Sequence, residues 1–132
     1  MDIETPLKDL GDVPMHALKE AIQQIAAPWQ GVDIHAVAAV EARGFLFATP
    51  LAIALGVGVI PVRKPGKLPA DTISYDYELE YGHDTLEMHR GILAQGSNVL
   101  IVDDVLATGG TAQACIKLVE SAGARVAGAA FL

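Results

Sequence analysis

Val99-Leu100-Ile101-Val102-Asp103-Asp104-Val105-Leu106-Ala107-Thr108-Gly109-Gly110-Thr111-Ala112 is the stretch that decides the fold. Its first four residues are apolar and mostly β-branched, which predicts a buried strand. Two carboxylates stand where that strand ends, and a Thr-Gly-Gly-Thr turn then opens into a helical pattern. Carboxylates accept hydrogen bonds from sugar hydroxyls or hold a divalent cation. Glycines let backbone N–H groups close on an anion at a helix N-terminus, where the dipole also favours negative charge. One short segment of this kind can grip a sugar and its phosphate together, so the expected ligand is a phosphorylated sugar. Neither a Gly-x-x-x-x-Gly-Lys-Ser/Thr loop nor a Gly-x-Gly-x-x-Gly fingerprint is present. The bland alternative is an ordinary strand–turn–helix with an Asp pair capping the turn.

Composition bounds the rest. A chain of 132 residues builds one domain with a real core and is too short for two, so residues 1–132 are read as a single domain. Hydrophobic residues make up 52% and charged residues 19%, a globular balance. The lone Cys115 cannot form an internal disulfide, which suits a reducing compartment. No charged-then-apolar leader and no apolar run of membrane-spanning length occurs, so the expectation is a cytoplasmic protein with no membrane partner. A net charge of −7 argues against a nucleic-acid partner. Against that acidic background, Arg43, Arg63, Lys64 and Lys67 crowd four of the nine basic residues into one stretch, as a site for a polyanion would. A scattered, solvated face is the alternative.

Outward from the signature, strands and helices alternate. Asp12-Val13-Pro14 reads as an N-cap followed by a proline in the first helical turn, with Leu18, Ile22 and Ile25 at helical spacing until Pro28. Ile34 to Val40 predicts a strand. Phe45 to Leu55 is apolar all round and predicts a buried helix, closed by Gly56, in which Pro50 lies in the first turn or makes a kink. Val57 to Val62 is the next strand, followed by the basic loop Arg63 to Pro69. Residues 71 to 89 alternate in the manner of a two-stranded excursion, with a Tyr81-Gly82-His83-Asp84 turn signal. After the signature come a helix from about Thr111 to Ala122, Gly123 as its C-cap, and a last strand from Val126 to Leu132. This is an α/β pattern: a parallel sheet flanked by helices, with ligands expected at the carboxyl ends of the strands. Glu41 to Gly44, Arg63 to Lys67 and Asp103 to Thr111 all follow such ends and should converge on one rim.

The signature resembles the phosphoribosyl pyrophosphate motif of the type I phosphoribosyltransferases. A receiver domain can open its acidic cluster similarly, but it needs four more strand–helix units, and only 28 residues follow Asp104. Three further motifs occur in order: Glu41-Ala42-Arg43-Gly44-Phe45-Leu46-Phe47, Arg63-Lys64-Pro65-Gly66-Lys67-Leu68-Pro69 and Tyr77-Glu78-Leu79-Glu80-Tyr81-Gly82. Together with the signature they resemble the adenine phosphoribosyltransferases, from about Asp2 to Leu132. The implied activity is a pentosyl transfer in purine salvage: phosphoribosyl pyrophosphate and adenine give AMP and pyrophosphate, with Mg2+ as cofactor. The resemblance also implies a homodimer.

Residue by residue, the resemblance assigns Asp103 and Asp104 to the ribose hydroxyls, with magnesium nearby and held mainly through substrate phosphates. Ala107, Thr108, Gly109, Gly110 and Thr111 would hold the 5′-phosphate. Glu41, Ala42, Arg43 and Gly44 form the family's pyrophosphate loop, with Arg43 as its cation and a strained non-proline cis bond often found there. Arg63, Lys64 and Lys67 would complete the pyrophosphate clamp, Arg63 serving the neighbouring subunit. Glu80 and Tyr81 would lie on a mobile loop, about residues 64–89, that closes over the site. Glu80 would be the general acid/base, with an exposed hairpin glutamate as its alternative, and Tyr81 would shield the donor from water, with cross-strand packing as its alternative.

His16, His35, His83 and His89 show neither metal-ligand spacing nor a nucleophile partner, and surface or packing roles are expected for them. Cys115, Trp29, Met15 and Met88 are likewise read as packing residues. The family begins with an additional N-terminal segment and continues beyond the strand that ends here at Leu132. Those two pieces form much of the hood over the purine, so the hood is expected to be largely missing. Two other functions fit the same donor-binding half: a type I transferase for another base, such as xanthine or orotate, and a noncatalytic regulatory module that binds phosphoribosyl pyrophosphate.

Overall fold

The structure is a computed structural model, and it describes residues 14–79, 81–103 and 110–131. In chain order the elements are α1 (Met15–Ala26), a 3-10 turn (Ala27–Trp29), β1 (Ala36–Val40), α2 (Arg43–Leu55), β2 (Gly58–Val62), β3 (Thr72–Leu79), β4 (Gly82–His89), β5 (Asn98–Asp103), α3 (Gly110–Ser121) and β6 (Arg125–Phe131). Strands β2-β1-β5-β6 form one sheet in that order, all neighbours parallel, while β3 and β4 pair antiparallel as a separate hairpin. The expected α/β architecture with its two-stranded excursion is therefore the fold observed.

Period-two alternation sorts the central strands into two cores, one on each face of the sheet. Ala36, Ala38 and Val40 of β1 with Val99 and Ile101 of β5 face Cys115, Leu118 and Val119 of α3 and Leu86 and Met88 of the hairpin. Val37 and Ala39 with Leu100 and Val102 face Phe47, Ala48, Leu51 and Ala52 of α2 and Ala26 of α1. β1 consists only of Ala and Val, and all five of its residues are buried. Its small side chains let helices approach from both sides.

Several boundaries differ from the sequence patterning, for identifiable reasons. Pro14 is itself the N-cap of α1, in extended conformation, so the proline precedes the first turn; Asp12 and Val13 lie outside the described residues. Strand β1 starts at Ala36, because Ile34, though buried, bends back to bond Val32. Helix α2 begins at Arg43, two residues before its apolar run, and continues through Pro50. It is not buried all round: Leu46 and Ile53 are 54% and 77% exposed. The hairpin turns earlier than the turn signal suggested. Leu79 pairs with Gly82, so His83 and Asp84 belong to β4. Gly56 and Gly123 take positive φ behind α2 and α3, as C-capping glycines do.

Trp29 packs against β6, where a Cβ on Gly128 would fall within the indole, 2.8 Å from Cζ2 and closer still to Cη2. The register of β6 on β5 shifts beside this contact, between Val99 and Leu100. Met88 is core, as expected, but Met15 is 73% exposed. His35 is a pin at the far end of the sheet: its Nδ1 accepts the Asn98 backbone N–H at 2.8 Å, and its backbone N–H donates to the Asn98 carbonyl at 2.9 Å. None of the helices among the described residues is long and apolar enough to cross a membrane.

Candidate active site

Parallel pairing puts the carboxyl ends of β1, β2 and β5 at one edge. Val40 pairs with Val62, and Ala39 with Val102, one residue before Asp103. The chain leaving β1 is tied to its neighbour at once, because the Glu41 N–H donates to the Val62 carbonyl at 3.0 Å. Gly44, buried in the first turn of α2, lets that helix lie close to both strands. A Cβ there would stand 3.4 Å from Ala39 Cβ and from the Val102 carbonyl oxygen. The Glu41–Ala42 peptide is cis. Arg43, the first residue of α2, is exposed at this edge, and Asp103 is half-buried at the end of β5.

Glu41 is the hub of the site. Its side chain is only 10% exposed, and one oxygen accepts the Lys64 backbone N–H at 2.6 Å while the other accepts Lys67 Nζ at 2.6 Å. Arg63 Nε stands 3.6 Å from the same carboxylate, and the Arg63 guanidinium lies 5.9 Å from the Phe45 ring centroid. Burial pushes the Glu41 carboxyl up, but the hydrogen bonds from Lys67 and Lys64 and the charges of Lys67 and Arg63 outweigh it. The net displacement is below the ordinary value of 4.5. An ionised carboxylate therefore organises the cations of this loop.

Lys64 points elsewhere. Its ammonium meets Asp84 Oδ2 and donates to the Tyr77 hydroxyl at 3.3 Å, both on the hairpin. Burial lowers its pKa, and the bonds to Asp84 and Tyr77 more than reverse this, so it ends above 10.5. The Lys64 bond, reinforced by the Thr85 N–H, holds Asp84 below 3.8. Arg63 and Glu87 exchange both backbone hydrogen bonds, at 2.9 and 2.7 Å, joining the basic loop to β4. Glu87 also accepts the Gly66 N–H at 3.0 Å and the Thr72 hydroxyl at 3.3 Å.

The residues expected in the site thus divide. Glu41, Arg63 and Lys67 meet around one carboxylate, with Ala42, Arg43 and Gly44 directly beside them. Asp103 shares the sheet edge. Gly110 and Thr111 open α3, whose Cys115 feels the Asp103 charge; that charge and, above all, burial push its thiol up to about 12, an inert core cysteine. Tyr81 lies in the hairpin turn, just before β4, and is 91% exposed. Glu80, Asp104, Ala107, Thr108 and Gly109 lie outside the described residues.

Sequence patterning gave no role to Tyr77, Asp84 or Glu87. A turn placed at 80–81 would have opposed Tyr77 to Asp84, and that pairing was the available signal. No group of three or more His, Cys, Asp and Glu side chains gathers as a metal cage among the described residues. Asp103 offers a hard oxygen donor at the sheet edge. That fits a magnesium ion coordinated largely by substrate phosphates.

Comparison with known proteins agrees with this geometry. Residues 8–132 match the phosphoribosyl transferase domain family. The chain is 53% identical over 131 residues to the adenine phosphoribosyltransferase of Caldanaerobacter subterraneus subsp. tengcongensis, covering 99% of this chain and 73% of that relative. It superposes on the crystal structure of the Thermoanaerobacter pseudethanolicus adenine phosphoribosyltransferase with a TM-score of 0.87 at 54% identity, covering 93% of this chain and 70% of that one. The Trypanosoma brucei adenine phosphoribosyl transferase, solved in complex with AMP, pyrophosphate and ribose-5-phosphate, gives a TM-score of 0.83 at 26% identity, over 94% of this chain and 55% of that one. Motifs, sheet order, the edge built around Glu41 and these likenesses lead to one conclusion: the chain belongs to the adenine phosphoribosyltransferase family.

Proposed function

We propose that this chain transfers the ribose 5-phosphate group of phosphoribosyl pyrophosphate to N9 of adenine, forming AMP and releasing pyrophosphate. The observation that carries the proposal is the convergence of Glu41–Gly44, Arg63–Lys67 and Asp103 on one edge of the parallel sheet. Breaking the bond from C1′ to pyrophosphate builds positive charge on the ribose and negative charge on the leaving group. Catalysis is then chiefly positioning and electrostatic stabilisation.

In this proposal Asp103 and Asp104 orient the ribose hydroxyls, and Ala107 to Thr111 hold the 5′-phosphate at the start of α3. Arg43, Arg63 and Lys67 draw off the charge of the departing pyrophosphate, with Ala42 and Gly44 giving the backbone its close approach. Glu80 handles the purine proton, and Tyr81 excludes water from the donor. Magnesium, bound beside Asp103 and Asp104, would neutralise phosphate charge. Cys115, buried and unpaired, suits a reducing cytoplasm. Leu46 and Ile53 stand seven residues apart on one exposed face of α2, and a second copy of this chain is the occupant proposed for that face.

The test is to mix the purified chain with phosphoribosyl pyrophosphate, magnesium and adenine and to follow AMP chromatographically. AMP should form, and Arg43→Ala should lower kcat/KM for the donor by about 100-fold, as for loss of one charge-stabilising group. Donor binding with no AMP from any purine would instead favour the regulatory module.

A further inference from the structure

The ammonium of Lys64 is turned away from the carboxylate that gathers its neighbours. Its backbone N–H serves Glu41, yet its side chain runs to the hairpin, onto Asp84 Oδ2 and the Tyr77 hydroxyl. Tyr77 and Asp84 are direct cross-strand partners, so a single cation bridges β3 and β4. The other Asp84 oxygen accepts the Thr85 N–H at 2.8 Å, which fixes the rotation of the carboxylate. Lys64 and Asp84 side chains are 38% and 32% exposed, a partly desolvated setting that strengthens their attraction. The base of the hairpin is attached separately, by the Arg63–Glu87 backbone bridge. The Lys64 contact is a second attachment, nearer the turn that carries Tyr81.

We propose that Lys64 and Asp84 are positioning residues that hold the β3–β4 hairpin in place for transfer, and that Lys64 acts on the hairpin rather than on pyrophosphate. The proposal rests on the transferase function above and departs from the grouping of Lys64 with Arg63 and Lys67 as one clamp. Moving the ammonium onto a diphosphate would break two contacts and leave the Asp84 carboxylate uncompensated. Lys67 and Arg63, already directed at the sheet edge, supply the charge there.

Lys64→Met, Asp84→Asn and their combination test this in the full chain, with Tyr77→Phe as a milder variant. The readouts are amide hydrogen exchange across residues 77–84, calorimetric affinity for inorganic pyrophosphate with magnesium, and turnover. Each single change should speed hairpin exchange and lower kcat about tenfold, the double change should add little, and Asp84→Glu should restore most of both. Pyrophosphate affinity of Lys64→Met should stay within about twofold of the parent. A tenfold loss of that affinity on Lys64→Met alone, or unchanged hairpin exchange in both single variants, would overturn the proposal. A parent chain that makes no AMP counts against the transferase function, while exchange and pyrophosphate binding still decide the role of Lys64.

Discussion

Glu41 shows how a motif can mark a residue without telling what its side chain touches. Its place beside Arg43 marked it as part of an anion-binding loop, but an acidic side chain there has no evident use against a polyanion. The structure supplies one: the carboxylate holds Lys67 and the Lys64 N–H, with Arg63 beside them. Because its folded pKa lies below the unfolded value, it contributes stability above pH 4.5 that is lost as pH falls through the folded pKa. Asp84 adds a second contribution of the same sign. Thermal midpoints should therefore fall as pH drops below 4.5, and Glu41→Gln should flatten that limb in a calorimetric pH series. An unchanged acid limb in the variant would remove Glu41 from this account.

At the scale of elements, close approach decides more than propensity. Gly128 sits in β6 because Trp29 occupies the space above it. Gly128→Ala should displace the indole and destabilise the protein by about 1–3 kcal/mol, the usual cost of overpacking. Trp29 is the sole tryptophan, so a red-shifted emission maximum together with a lowered urea midpoint would report it directly. Helix α2 teaches a complementary lesson. Its sequence is apolar on every side, yet only Gly44, Phe47, Ala48, Leu51 and Ala52 are buried by this chain. Periodicity could place the helix but could not say which of its apolar residues this chain covers.

For the whole molecule, the exposed face of α2 is where assembly should be legible. If a second copy covers Leu46 and Ile53, Ile53→Glu buries a charge at that interface. The dimer dissociation constant should then rise about 30-fold or more, roughly 2 kcal/mol at an interface hot spot. Sedimentation across a concentration series would read this shift, and an unchanged distribution would move the interface elsewhere. The two cores show the same division within one chain: strand alternation alone separates Val37 and Ala39 from Ala36, Ala38 and Val40, and the helices on each face then follow.

Local chemistry determined the elements. Apolar runs ending in carboxylates, and prolines and glycines at boundaries, are short-range signals, so the strands, the helices, the hairpin and the loops that follow β1 and β2 were legible from sequence. So was the family, because its motifs are contiguous segments. What only the tertiary structure decided is which side chain meets which. Lys64 and Asp84 are twenty residues apart, and Glu41 and Lys67 twenty-six. Those pairings depend on strand register and on the close approach allowed at Gly44. Arg63, Lys64 and Lys67 look equivalent along the chain; folding leaves Arg63 and Lys67 at Glu41 and turns the Lys64 ammonium to Asp84, the carboxylate that packing brings within its reach.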